Sequence, residues 1–284
     1  MKAHRPLVVV LAVLGLVGCT RNVGTATDPT ASAGIPPALT VATVDFPSKW
    51  LSERVGGDAV EVLSIGASEV AQTDADLLVY VPGLDAQVDA AAAELPQDRV
   101  INATGDVNLV ASPRDPQIRD PYVWFDPVNV GTMAQTVADG LTSASPTTYE
   151  ASQFYGLRGL SVRNEAFGVD QRLQEMFNPC RIPTLVVEAP VLTYLARAYA
   201  FDQVPLILWK PGEQEVESLY YTVDAQAAVQ TAAKRNGIDT VPVDTFTESA
   251  PEEDLLQGLL DLGDQIAAHQ DCPLVTPSSS DRPG

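Results

Sequence analysis

The chain has 284 residues, 45% hydrophobic and 19% charged, enough apolar material for one large core or two moderate ones. Its 17 basic residues face 37 acidic ones, a formal net charge of −20, which argues against a nucleic-acid partner because phosphate binding needs a basic face.

The N-terminus reads as a targeting segment. Lys2, His4 and Arg5 precede the apolar run 7–17, which is too short to span a bilayer. The run ends in Leu16-Val17-Gly18-Cys19, which looks like a bacterial lipobox, with Cys19 acylated after removal of a signal peptide over 1–18. The expectation is a chain anchored by lipid on the extracytoplasmic face of the cell membrane. Residues 19–38, rich in Thr, Ala, Ser, Gly and Pro, read as a flexible tether. In an oxidising compartment Cys180 and Cys272 are left as an even pair and are expected to form a disulfide, the alternative being two unpaired thiols.

Folded structure is expected from Leu39. Strands are predicted within 39–47 and over 59–64, 76–81 and 99–103, with helices over 48–55 and 84–95 between them. The run Leu77-Leu78-Val79-Tyr80-Val81 is nearly all apolar, as suits a parallel strand covered on both faces. Asp120-Pro121 and Asp126-Pro127 bracket the apolar run 122–125, predicted as a short strand. Asp126 then suits a helix N-cap with Pro127 at the first helical position, and Val130, Met133, Val137 and Leu141 follow at helical spacing. A long helix is predicted over 145–177, its apolar stripe including Leu157, Leu160, Phe167 and Leu173. Beyond it come strands over 183–188, 204–209, 219–223 and 240–244. Helices are predicted around 191–199, over 224–236 with Gly237 as C-cap, and over 252–269. Strand alternating with helix implies an α/β chain with mainly parallel sheets.

The stretch 120–127, DPYVWFDP, resembles the D-P-H-x-W-x-D-P signature of the zinc and manganese substrate-binding lipoproteins of bacterial ABC transporters, with Tyr122 at the signature's histidine. Phe46-Pro47, Val55-Gly56-Gly57-Asp58 and Ala75-Asp76-Leu77 match further pieces of that family. So do Val186-Val187 and the segment Tyr194-Leu195-Ala196-Arg197-Ala198-Tyr199, and this alignment places the family's second-lobe histidine on Ala189. The loop 65–74 has no histidine where the family carries one, and Asp244 falls on the family's carboxylate ligand. The resemblance implies two α/β lobes, each a mainly parallel sheet flanked by helices, joined by one long connector helix. The domains on this reading are an N-terminal lobe over 39–144, a connector over 145–178, a C-terminal lobe over 179–270 and a disordered tail over 271–284. It further implies capture of a solute between the lobes by a monomeric receptor that delivers to an ABC permease. A diverged scaffold that binds another envelope protein is the alternative.

The chain has two histidines, and His4 leaves with the signal peptide. His269 is expected as a solvated helix-end residue. A histidine-rich zinc site is therefore excluded, and at most Asp244 is a metal ligand. Tyr122, Asp126, Glu188, Ala189 and Asp244 are the cleft candidates, and oxygen donors of this kind suit a hard divalent cation. The bland alternative makes Asp126 an N-cap, Glu188 a strand-end charge and Asp244 a turn residue. No enzyme is expected: there is no internal histidine to serve a nucleophilic triad, and no phosphate-binding or dinucleotide fingerprint.

Overall fold

A computed structural model describes residues 39–273 apart from 114, 147, 179, 214, 223 and 224. Cys19, the tether and the tail beyond 273 lie outside the described residues. β1 (Leu39–Thr43), β2 (Val60–Ser64), β3 (Leu77–Tyr80) and β4 (Val100–Asn102) form a parallel sheet in the order β2-β1-β3-β4. β5 (Thr184–Val187), β6 (Asp202–Pro205), β7 (Ser218–Tyr221) and β8 (Asp239–Pro242) form a second parallel sheet in the equivalent order β6-β5-β7-β8. In each sheet the chain reverses its direction of winding beside the first strand, between β1 and β3 and again between β5 and β7.

Both sheets are covered on both faces. Successive side chains of a strand point to opposite faces: Val41 and Val79 enter the main core, whereas Ala42 and Leu78 pack outward with Val70, Val88 and Ala92. In the second sheet Leu185, Val187 and Tyr220 face the main core and Val186, Leu219 and Tyr221 meet Val229 and Ala233. The main core is one contiguous cluster that runs from Leu39 in the first lobe to Ile266 in the second.

The helices are α1 (Phe46–Gly56), α2 (Ala86–Glu94), α3 (Pro127–Ala144), α4 (Thr148–Phe177), α5 (Thr193–Ala198), α6 (Gln226–Asn236) and α7 (Leu255–His269). Side-chain caps start several of them: Asp45 accepts from Ser48 N, Asp85 from Gln87 N and Val88 N, Asp126 from Val128 N, and Asp254 from Leu256 N and Gln257 N. Gly237 closes α6 in the left-handed region, φ 66°, where a Cβ is disfavoured. α4, with 30 residues, rises about 45 Å. It packs on α3 and α1 of the first lobe and on α7 of the second, so it spans both. No described helix is long and apolar enough to cross a membrane.

Three sequence expectations are corrected. The run 122–125 is a single 3-10 turn, Val123–Phe125, rather than a strand: Asp120 Oδ1 accepts from Tyr122 N and bends the chain before it can extend. The strand predicted over 204–209 is shifted towards the N-terminus. β6 ends at Pro205, the next turn is held by Leu208 N and Trp209 N donating to Pro205 O, and Ile207 is 91% exposed. The buried face of α4 runs through Ala151, Tyr155, Val162, Ala166, Val169, Leu173 and Phe177, while Leu157, Leu160 and Phe167 of the predicted stripe are exposed. Small residues on that face let α3 and α4 approach closely. A Cβ on Gly159 would lie 3.0 Å from Ala138 Cβ and 3.1 Å from Ala134 O.

Candidate functional site

The carboxyl ends of both sheets open on one cavity of about 920 Å³. Ligands of open α/β sheets bind outside these ends, at the point where the strand order reverses. In the first lobe the lining comes from Gly83 and Leu84 after β3 and from Asp120, Pro121 and Tyr122. In the second it comes from 188–191 after β5, Thr222 after β7 and the loop after β8 with Val243, Asp244 and Glu248.

Corresponding acidic residues sit at the two reversal points. Asp45, after β1, is buried; it accepts from Ser48 N at 2.8 Å through Oδ1 and from Val81 N at 3.1 Å through Oδ2, which joins the ends of β1 and β3. Burial raises its pKa above the ordinary value, and the bonds to Ser48 and Val81 oppose that shift. Glu188, after β5, accepts from the Thr222 hydroxyl at 3.3 Å, and its own N–H donates to Tyr220 O at 2.8 Å. Its main chain thus continues the β5–β7 pairing and its carboxylate meets a side chain after β7, and it lines the cavity, which Asp45 does not.

The floor of the cleft is cross-linked. Trp124 Nε1 donates to Thr245 O at 3.1 Å and Phe46 N donates to Thr247 O at 2.8 Å. The Phe125 and Phe246 ring centroids are 5.8 Å apart. The Tyr194 hydroxyl of α5 donates to Asp120 O and accepts from Val110 N, each at 3.1 Å. Tyr122 stands above this floor with its ring edge-on to Trp124, centroids 5.6 Å apart.

Of the sequence-predicted candidates, Tyr122, Glu188, Ala189 and Asp244 line the cavity. Asp244 does so as a turn residue, since its Oδ1 accepts from Phe246 N at 2.8 Å, a position where Phe246 has φ 54°. Asp126 is not among the lining residues: its carboxylate caps α3 and its pKa is raised by burial. Cys180 and Cys272 are bonded to each other, joining the segment after α4 to the segment after α7. His269 is not the solvated residue expected; its Nδ1 lies 2.9 Å from the Ser218 hydroxyl at the start of β7, at the end of the sheet away from the cavity. Sequence reasoning missed Asp120 and Glu248 as lining residues. The Asp-Pro pair marked Asp120 as a turn residue, and nothing in the sequence marked Glu248.

Asp120 is 2% exposed, and its Oδ2 accepts no hydrogen bond. The Thr193 hydroxyl is close enough to moderate the charge, but its proton goes to Pro190 O at 2.9 Å. Burial holds the Asp120 carboxyl above the ordinary carboxylate value.

The model of the ZnuA family, zinc-uptake complex component A, periplasmic, matches residues 41–266. The chain belongs to this family. A ZnuA-family relative, the zinc-binding lipoprotein AdcA of Streptococcus pneumoniae serotype 4 (strain ATCC BAA-334 / TIGR4), is 24% identical over 270 residues, which cover 78% of this chain and 52% of that protein. The chain thus spans about half the length of that curated relative. A Zn(II)-bound variant of AdcAII from Streptococcus pneumoniae has a TM-score of 0.70 at 20% identity, covering 82% of this chain and 99% of that one. A mutant of the laminin-binding adhesin Lmb of Streptococcus agalactiae has a TM-score of 0.69 at 19% identity, with the same coverage. At these identities the likeness is one of fold.

Zinc does not fit the donors this ZnuA-family member presents. Protein zinc sites are built mainly from imidazole and thiolate. Among the described residues, however, the one histidine sits at the far end of a sheet and the cysteines are paired. No group of three or more His, Cys, Asp or Glu among the described residues is arranged to hold an ion.

Proposed function

We propose that the chain is an extracytoplasmic solute receptor of an ABC importer, of the metal-ion receptor class with a degenerate metal site, anchored through lipid on Cys19. The observation that carries the reading is the cavity at the facing carboxyl ends of two parallel sheets, which Tyr122, Ala189 and Asp244 line; the sequence resemblance aligns these three with the family's ligand positions. The receptor takes its solute from the aqueous side, holds it between the lobes and presents it to a permease that meets the cleft rim. Membership of the ZnuA family supports this reading over the envelope-scaffold alternative.

Photo-crosslinking in membranes of the source organism tests the reading. Probes on the rim, at Glu248 and Gly83, are expected to capture an integral membrane permease. Recovery of other envelope proteins with no permease would overturn it. In the same cells Cys19→Ser should release the protein from the membrane fraction.

A further inference from the structure

The outer face of α4 has the pattern of a helix that lies along another. Leu157, Leu160 and Phe167 stand on it 68%, 44% and 55% exposed, in the middle of a 30-residue helix. They belong to a longer line: Gln153, Leu157, Leu160, Asn164, Phe167 and Gln171 follow one another at steps of four, three, four, three and four residues, and all six are exposed. This is the 3.5-residue repeat of a coiled-coil seam, with Leu157, Asn164 and Gln171 at a positions and Gln153, Leu160 and Phe167 at d positions. The buried face of the same helix, through Tyr155, Val162, Ala166 and Leu173, falls on other positions of the repeat and is taken up by α1, α3 and α7.

The seam suits a second copy of this chain. It carries no charged residue in a chain of 37 acidic and 17 basic ones, so two copies can meet here without opposing like charges. The flanking positions agree: in a parallel pair Gly156 faces Ser161 and Arg163 faces Gly168. Asn164, at the central a position, meets its own counterpart, and a polar residue there fixes the register of a parallel pair. At about 200 Å² for a large side chain wholly exposed, the six residues offer on the order of 600 Å² per copy, against the roughly 800 Å² that each partner gives to a standard interface. A contact of that size is weak in dilute solution and is favoured where anchoring raises the local concentration.

We infer that α4 pairs with α4 of a second copy, side by side and in parallel register, through Leu157, Leu160, Asn164 and Phe167. The pair departs from the monomer expected by resemblance and goes beyond the receptor reading. None of the seam residues lines the cavity, so pairing takes nothing from the cleft wall of either copy.

Oxidative crosslinking with copper-phenanthroline, in cells that make the full-length chain, tests this. Cys180 and Cys272 are bonded to each other, so an introduced cysteine supplies the probe thiol and the parent chain gives the background from Cys19. Asn164→Cys and Gln171→Cys, made separately, are each expected to trap a dimer well above that background, because every a position of a parallel pair meets its own counterpart. Ser152→Cys, exposed on another face of α4, should stay at the background. Leu160→Gln with Phe167→Gln, added to Asn164→Cys, should bring the dimer back down to it, with circular dichroism of the purified chain confirming that the fold is kept. Equal trapping by Asn164→Cys and Ser152→Cys would mean chance collision, and the inference fails. Trapping at only one of 164 and 171 means a crossing or antiparallel contact and overturns the parallel pair. No dimer at either position, or a product joined instead to a protein of different mass, overturns the second copy as occupant. In all these cases the rim crosslinks to a permease are read separately and the receptor reading stands or falls on them.

Discussion

The indole Nε1 of Trp124 donates to the carbonyl oxygen of Thr245 at 3.1 Å and so ties the turn before α3 in one lobe to the loop after β8 in the other. Trp124 is fully buried, so this bond forms away from water. Trp124→Phe keeps most of the apolar volume and leaves Thr245 O without its donor. The expected loss is about 1–3 kcal/mol of unfolding free energy by urea titration. Amide exchange in 244–248 should rise more than exchange in the strands; uniform exchange would separate the tryptophan from the cleft wall.

The Tyr194 hydroxyl serves two backbone groups at once, Val110 N and Asp120 O. Tyr194→Phe is expected to cost about 1–3 kcal/mol, because the buried hydroxyl's two partners both lose a bond. It should also loosen 109–112, read as faster amide exchange there. An unchanged exchange rate in that segment would mean the hydroxyl does not organise it.

Two glycines of α4 should respond in opposite directions. Gly159→Ala puts a Cβ against Ala138 and the Ala134 carbonyl on α3 and should destabilise by about 1–3 kcal/mol. Gly156 has nothing within 4 Å of the same position, so Gly156→Ala should stabilise by roughly 0.5–1 kcal/mol through helix propensity. Equal effects in chemical denaturation would show that helix spacing does not depend on Gly159.

Cys180 and Cys272 close a loop with a sequence separation of 92. Reduction, or Cys180→Ser with Cys272→Ser, is expected to cost about 2–4 kcal/mol, seen as a lower melting temperature. The ends of α4 and α7 should then exchange faster, because this bond joins the segments that follow them.

Asp120 sets a pH dependence with a definite sign. Its folded-state pKa is raised above the ordinary 3.8 by burial, so between these values the folded chain binds more protons than the unfolded one. Its contribution to stability is greatest below pH 3.8 and declines as pH rises through the raised value. Asp120→Asn should remove that part of the slope and gain stability relative to the native protein as pH rises towards 7. A difference between the two that stays constant from pH 4 to 7 would contradict the assignment.

Much of the fold was legible because the signals are local. The unbroken apolar run at 77–81 marked a strand covered on both faces, and Asp126-Pro127 and Gly237 marked helix ends by side-chain chemistry alone. The aromatic run 122–125 misled because a buried 3-10 turn and a short buried strand are equally apolar. α4 misled for the opposite reason: its buried face mixes Ala151, Gly159 and Ala166, whose value lies in close approach, with Tyr155, Val162 and Leu173, while Leu157 and Phe167 advertise a stripe that faces solvent. In the site, Tyr122, Ala189 and Asp244 were reachable by resemblance and Glu188 by adjacency. Asp120 and Glu248 were not, because loops that converge only in three dimensions carry no periodicity.

The paired acids at the two winding reversals have a consequence for divergence. Asp45 is committed to the backbone of its own lobe, so altering it damages folding before it alters recognition. The Glu188 carboxylate instead meets a side chain after β7 and lines the cavity, so a change there reaches the bound molecule directly. Of these two acids, therefore, only Glu188 can change the chemistry of the cleft wall directly.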